Sequence, residues 1–112
     1  MTAVQILKER FVHDPIPLKW GGIASDLLRL SSMAHVEKIA SPAFQSVLME
    51  TKLFSEWLAP EVKLKEQETI LSLQRSLIDC SSGHFNLKKI EQTTKKWSEK
   101  ILNISGLVPK EK

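Results

Sequence analysis

Large apolar residues recur along this chain at intervals of three and four, the spacing that places side chains on one face of an α-helix. The segment with the most regular spacing carries six of them: Ile16, Trp20, Ile23, Leu27, Leu30 and Ala34. No segment alternates apolar and polar residues as a half-buried strand would, and no Asn-Gly or Asp-Gly hairpin turn occurs. The pattern predicts an all-α fold.

Proline residues divide the helical segments from one another. Proline lacks a backbone donor and clashes with the preceding turn, so it marks the ends of helices. All five prolines lie between helical stretches: Pro15, Pro17, Pro42, Pro60 and Pro109. Together with N-cap residues at Ser41 and Asn86 and a C-terminal glycine at 106, they predict five helices. These helices span residues 3–11, 18–35, 42–58, 61–79 and 87–105.

The predicted helices form one domain over residues 1–112. Residues 1–17 hold a short helix and a proline-containing connector, and residues 108–112 form a frayed tail. Between them, residues 18–107 form four amphipathic helices joined by short connections, which favour antiparallel neighbours. We therefore expect an up-down four-helix bundle with an additional short N-terminal helix.

Four details of packing follow from individual positions. Gly21 and Gly22 inside the second helix indicate a close approach by another backbone, with the N-terminal helix as the candidate. Leu107 is expected to fold back onto Leu102 after the left-handed Gly106. In the fourth helix the predicted buried residues are Ile70, Leu71, Leu73, Leu77 and Ile78. In the fifth helix the predicted inward residues are Leu87, Ile90, Thr94, Trp97, Ile101 and Ile104.

Composition narrows the class of protein. The chain has 112 residues, of which 42% are hydrophobic and 26% charged, as in ordinary globular domains. No apolar run approaches the ~18 residues of a membrane span. The N-terminal residues are charged where a secretion signal needs an apolar core, and the single cysteine, Cys80, cannot form an internal disulfide. We expect a cytoplasmic protein that does not enter the membrane.

His35 is the first candidate for chemistry. The segment Ala34-His35-Val36-Glu37-Lys38-Ile39-Ala40-Ser41 resembles the A-H-x-x-K-G-x-S core of histidine phosphotransfer domains, which are helical bundles of similar length. That resemblance implies a phospho-accepting imidazole at His35 with Lys38 beside the phosphate. Ile39 replaces the glycine of the family, and Ser41-Pro42 ends the helix that the family continues.

The same histidine follows Arg29 at an R-x5-H spacing. This resembles the R-x4–6-H signature of the HEPN class of helical ribonucleases, which implies that Arg29 and His35 act together on a scissile phosphate. The motif lies early in this chain, however, and late in that family. The structural alternative is a histidine that interacts with the last carbonyls of its helix.

Metal and cofactor sites are not predicted. Cys80 and His84 lie close together in the sequence with Asp79 adjacent, but a zinc site needs four ligands and no second pair is near. No glycine-rich phosphate loop or nucleophile elbow occurs. We therefore expect neither a metal nor a cofactor, and these absences favour a protein that is not an enzyme.

Positive charge is concentrated in the last quarter of the chain. From Asn86 onward seven lysines and three glutamates leave a net charge of +4, although the whole chain carries +3. Four of the lysines fall on the outward positions of the fifth helix: Lys88, Lys89, Lys95 and Lys96. They form either a solvated face or an electrostatic strip for an acidic partner. Nucleic acid is disfavoured because these basic residues are all lysine and no exposed aromatic is interleaved with them.

Three segments carry a resemblance to a group of small helical proteins from cyanobacteria, a group with no activity to carry over: Leu27-Leu28-Arg29-Leu30-Ser31-Ser32, Phe54-Ser55-Glu56-Trp57-Leu58-Ala59-Pro60-Glu61 and Lys96-Trp97-Ser98-Glu99-Lys100-Ile101-Leu102-Asn103-Ile104-Ser105-Gly106-Leu107. The resemblance implies a compact helical fold. The sequence as a whole therefore predicts a non-enzymatic protein–protein interaction or regulatory module whose partner is a protein, with a second copy of the chain as one candidate. The alternative is a phosphotransfer or ribonuclease activity centred on His35.

Overall fold

Five α-helices make up most of the chain in this computed structural model, which describes residues 2–107. They are α1 (Ala3–His13), α2 (Ile16–His35), α3 (Pro42–Leu58), α4 (Leu64–Ser81) and α5 (Leu87–Ser105), with a 3₁₀ turn at Ala59–Glu61. No strand occurs within these described residues, and the predicted all-α class is confirmed. The tail predicted at 108–112 lies outside them.

The predicted caps set the helix boundaries. Ser41 Oγ accepts the Phe44 N–H at 3.2 Å at the start of α3, and Asn86 Oδ1 accepts the Lys89 N–H at 2.8 Å at the start of α5. Gly106 ends α5 with φ 75°, in the left-handed region. The side chains of Ser41 and Asn86 each satisfy a backbone N–H that the helix end leaves without a partner.

Four helix boundaries differ from the prediction. Helix α1 ends at His13 rather than at residue 11, and α4 ends at Ser81 rather than at residue 79. Helix α2 begins at Ile16, so Pro17 lies inside its first turn rather than before the helix. A proline there loses nothing, because the first backbone N–H groups of a helix have no internal partner. Helix α4 begins at Leu64 because the 3₁₀ turn at Ala59–Glu61 occupies the residues after α3.

The four long helices contact one another in a ring. Helix α2 packs most extensively against α5 and also against α3, while α4 contacts α3 and α5, and α1 lies on α3. The core they enclose is apolar and includes Trp20, Leu27, Phe44, Leu58, Leu73 and Ile101, all almost fully buried. The up-down order of the helices within the ring stays a prediction.

Small polar residues bring α2 and α5 together. Ser98 Oγ donates to the Ala24 carbonyl at 2.8 Å, and Ser31 Oγ donates to the Glu91 carbonyl at 2.9 Å. Because these hydroxyls are short and hydrogen-bonded, they are buried without leaving an unpaired polar group. The inward line of α5 is therefore rotated from the predicted one: Ser98 is buried, whereas Trp97 is half-buried.

The close approach at Gly21 has a different cause from the one predicted. A Cβ at Gly21 would lie 2.7 Å from Leu107 Cδ1, and no backbone of α1 lies near that position. Leu107 thus packs across α2 after the chain leaves α5. The expectation that α1 approaches this glycine is wrong, and the reason is that the end of α5 already fills the space.

Helix α4 buries fewer apolar residues than its sequence predicts. Ile70, Leu73 and Leu77 are buried, but Leu71 and Ile78 are 55% and 60% exposed. Since α4 packs only along one narrow side, the wide apolar face predicted from the sequence is wrong. Among the described helices, none is both long and apolar enough to span a membrane.

Candidate functional site: the lysine face of α5

A positively charged surface lies on the outer side of α5. We define the lysine face as the five lysines exposed there: Lys88, Lys89, Lys95, Lys96 and Lys100. The amphipathic pattern predicts the outward position of the first four. Their backbone is held by the buried line Ile90, Thr94 and Ser98, which fixes α5 against α2 and turns the lysines to solvent.

A shallow depression lies within the lysine face. Lys89, Thr93, Lys96, Trp97 and Lys100 line it, and its volume is about 190 Å³. Lys89, Thr93, Lys96 and Lys100 follow one another at intervals of four, three and four residues, and Trp97 follows Thr93 by four, so they fall on one side of the helix. The depression thus combines the apolar indole of Trp97 with the positive charges of Lys89, Lys96 and Lys100.

Trp97 forms the floor of this depression through two contacts. Its indole Nε1–H donates to Ser76 Oγ of α4 at 3.0 Å. The ammonium of Lys100 lies 5.1 Å from the ring centroid, within the range of a cation–π interaction. These contacts fix the ring and leave it half-buried beside the lysines.

The charge of the lysine face is not neutralised locally. None of its five ammonium groups forms an ion pair with a carboxylate in the part of the chain that the structure describes. Glu99 is also exposed on this side of α5, four residues after Lys95 and three after Lys96, so one negative charge lies among the five positive charges. The net positive charge of the surface attracts anionic groups. This surface can therefore bind carboxylates or phosphates from outside the chain.

His35 lies at the end of α2 and faces α5. Its ring is 72% exposed, and Nδ1 lies 2.9 Å from Glu91 Oε1. The contact is with α5, whereas the sequence indicated the last carbonyls of α2. The carboxylate of Glu91 therefore occupies Nδ1 of the His35 ring.

Arg29 points to a different neighbour. Its Nη1 lies 3.3 Å from Asp26 Oδ1 and 3.9 Å from Glu50 Oε2 of α3. Because α3 and α5 contact different sides of α2, the guanidinium and the His35 ring are engaged with different helices. The structure thus does not bring these two candidate residues together on one anion.

Lys38 lies in the connection between α2 and α3. Its backbone N–H donates to the Met33 carbonyl at 2.8 Å, which closes the end of α2, and Glu37 before it has φ 59°. Its carbonyl accepts Ser41 Oγ–H at 2.8 Å. The turn at Glu37 ends the helix directly after His35, where a phosphotransfer domain would continue.

The residues around Cys80 do not form a metal centre. Cys80 is buried, and burial together with the charge of Asp79 raises the pKa of its thiol to about 11. His84 Nδ1 lies 2.7 Å from Ser82 Oγ and 3.9 Å from Asp79 Oδ1. Within residues 2–107 no three His, Cys, Asp or Glu side chains are grouped closely enough to hold a metal ion.

Sequence reasoning missed two features of these sites. It assigned Trp97 to the core and so found no aromatic residue among the lysines. It also missed Asp26, a carboxylate buried beside Glu50. The signal for the first was present: Lys100 follows Trp97 by three residues, a separation that makes two side chains neighbours on a helix.

Comparisons with protein-family models, with curated proteins and with solved structures gave no match to this chain.

Proposed function

We propose that this chain is a cytoplasmic, non-enzymatic interaction module, and that the lysine face of α5 binds an acidic segment of a partner protein. One observation carries the proposal: Lys89, Lys96 and Lys100 surround the depression at Trp97 without a carboxylate partner among the described residues. An acidic peptide would place its carboxylates on the lysines and one apolar side chain against the indole.

The chemistry of the lysine face favours protein over nucleic acid. Its cations are all lysine, which lacks the planar fork with which arginine recognises phosphates. The indole of Trp97 donates to Ser76 and carries Lys100 near its ring. A base could stack there only if Lys100 moved away, whereas a carboxylate can approach Lys100 where it stands.

The proposal predicts salt-sensitive binding of an acidic peptide. A fluorescein-labelled peptide of about ten residues, rich in glutamate with one central leucine, is titrated with protein at low ionic strength and followed by fluorescence anisotropy. Lys96→Glu/Lys100→Glu should weaken binding by at least about tenfold, because two attractive contacts become repulsive. Raising the salt concentration should weaken binding to the wild type as well, since exposed charges are screened.

The matched control is Lys38→Glu/Lys65→Glu, which changes the net charge equally at exposed lysines outside α5. Its affinity for the peptide should stay within about twofold of the wild type. Equal losses in both double variants would contradict a local site. Tighter binding of a labelled oligothymidylate of the same length would assign the lysine face to nucleic acid instead.

The alternative activity centred on His35 makes a separate prediction. Because Arg29 and His35 are engaged with different helices, His35→Ala should leave the protein unchanged in two assays. One incubates wild type and variant with a labelled RNA, and the other incubates them with acetyl phosphate and measures incorporated phosphate. An RNA cleavage or a phosphorylation that the variant lacks would contradict the non-enzymatic assignment.

A further inference from the structure

The outer side of α4 carries an exposed apolar surface to which a second copy of this chain can bind. Leu64, Leu71 and Ile78 are 73%, 55% and 60% exposed and follow one another at intervals of seven residues. Seven residues turn a helix by nearly two whole turns, with a drift of ~20°, so the three side chains form a straight line. We define them as the α4 seam.

The α4 seam is separate from the apolar residues that hold α4 in the fold. Ile70, Leu73 and Leu77 fill the core from the opposite direction. Beside the seam, Met49 of α3 is 54% exposed, and it borders with Ile78 a groove of about 310 Å³ between α3 and α4. Four large apolar side chains are therefore left to solvent on this side of the molecule, and successive members of the seam are about 10.5 Å apart along α4.

Charges beside the α4 seam determine which partner fits. Glu68 precedes Leu71 by three residues and Arg75 follows it by four, so both lie on the same side of the seam and at similar distances from Leu71. Both are exposed, and neither forms an ion pair within residues 2–107. The negative and positive charges are thus arranged symmetrically about the centre of the seam.

We infer that two copies of the chain associate through antiparallel α4 helices, with Leu71 at the two-fold axis. In that arrangement Leu64 lies opposite Ile78 of the second copy. Glu68 lies opposite Arg75 of the second copy, and the symmetry repeats both contacts. A parallel pairing forms neither ion pair, because the two-fold axis then carries Glu68 and Arg75 to the other side of the seam.

The α4 seam offers a small contact surface. Helix α4 has 18 residues and is therefore about 27 Å long. One helix face of this length with Met49 beside it is smaller than a standard interface of ~800 Å² per partner. We therefore test for a dimer that dissociates on dilution within the micromolar range. It involves α4 and not the lysine face of α5, so it does not rest on the proposed function.

Sedimentation velocity over a range of about 5 to 500 µM protein tests this inference. The wild type should shift from monomer to dimer, and Leu71→Asp should remain monomeric throughout. The matched control is Leu28→Asp, since Leu28 is also an exposed leucine, at 51%, but lies on α2. It should dimerise like the wild type, and circular dichroism should show that both variants keep the helical content of the wild type.

Reversal of the charges distinguishes the proposed pairing from other uses of the seam. Glu68→Arg should weaken the dimer by about tenfold, because both symmetry-related ion pairs are replaced by repulsion. Glu68→Arg/Arg75→Glu should restore it to within about threefold of the wild type. A monomer at every concentration, a dimer that Leu71→Asp does not affect, or a double variant as weak as Glu68→Arg would each overturn the inference.

Discussion

Replacing Glu61 with alanine is expected to lower the free energy of unfolding by about 2–3 kcal/mol, the largest loss from any single surface carboxylate of this protein. The ammonium of Lys19 lies 2.9 Å and 2.7 Å from the two carboxylate oxygens of Glu61. The Lys19 side chain is only 2% exposed, whereas that of Glu61 is 39% exposed. Without Glu61, the ammonium of Lys19 remains buried with the Phe11 ring 5.8 Å away and without an ion-pair partner among the described residues.

The partial exposure of Glu61 decides the size of this effect. Removing one partner of a fully buried ion pair costs about 3–5 kcal/mol, because the other charge is left without solvation. Here water can approach from the side that Glu61 vacates, which places the expected loss below that range, at about 2–3 kcal/mol. Urea unfolding of wild type and Glu61→Ala, followed by circular dichroism, measures the difference.

Lys19→Met is the matched control for the Glu61 prediction. Methionine keeps most of the apolar chain of lysine and removes the charge, so stability should stay within about 1 kcal/mol of the wild type. Combining Lys19→Met with Glu61→Ala should recover most of the stability lost in Glu61→Ala. If the double variant is as unstable as the sum of the single variants, Lys19 and Glu61 do not act as a pair.

Asp26→Asn is expected to stabilise the protein at alkaline pH. Asp26 is 3% exposed, and its Oδ2 has no hydrogen-bond partner among the described residues. Burial, and after it the neighbouring carboxyl of Glu50, raise the pKa of Asp26 to about 8, although Arg29 acts in the opposite direction. At neutral pH the folded protein therefore holds a proton that the unfolded chain has released.

The sign of the pH dependence follows from this difference. An aspartate in the unfolded chain has a pKa near ~3.9. Between about pH 4 and pH 8 the folded state binds more protons than the unfolded state, so the contribution of Asp26 to stability decreases as the pH rises and is lost above about pH 8. Asparagine does not titrate in this range, so the stability of Asp26→Asn lacks the decrease with pH that Asp26 causes in the wild type.

The measurement for Asp26 is a difference between two proteins across pH. The free energy of unfolding of Asp26→Asn minus that of the wild type should increase between pH 5 and pH 8.5, by up to about 1.4 kcal/mol per pH unit. It should then level off. Asp14→Asn, at an exposed aspartate, should show no such increase. A difference for Asp26→Asn that is constant with pH would show that Asp26 is charged in the folded protein.

Local signals in the sequence predicted the helices well. Prolines, the N-caps Ser41 and Asn86, and Gly106 act on the backbone within one turn, so their effect does not depend on the rest of the fold. The start of α2 was missed by two residues because Pro17 is compatible with a first helical turn. Boundaries set by such local chemistry can be inferred from sequence alone.

The rotation of each helix about its axis was harder to predict. Apolar spacing placed Trp97 inward, yet the contact with α2 uses Ser98, because a small hydroxyl that bonds the Ala24 carbonyl permits closer packing. The same reasoning predicted that Leu71 and Ile78 are buried. Helix α4 instead packs along a narrower side and leaves both exposed. Apolar character alone does not distinguish a core face from a surface for another chain.

The candidate site was predicted in part. The sequence placed Lys88, Lys89, Lys95 and Lys96 outward, since charged residues opposite an apolar line face solvent. It could not place Trp97 among them or Asp26 beside Glu50, because both depend on contacts between helices. The sequence also could not show that Arg29 and His35 contact different helices. Arg29 lies near Glu50 of α3, whereas His35 contacts Glu91 of α5.

Binding at the lysine face is tested most directly by a ¹H–¹⁵N NMR titration of the wild-type protein with the acidic peptide. The indole N–H signal of Trp97 and the backbone amides of residues 88–100 should shift in proportion to the peptide bound. The indole signal of Trp20, which is 1% exposed in the core, should stay in place. Shifts centred on Arg29 and His35, or no shifts at peptide concentrations that saturate the anisotropy change, would contradict the proposed surface.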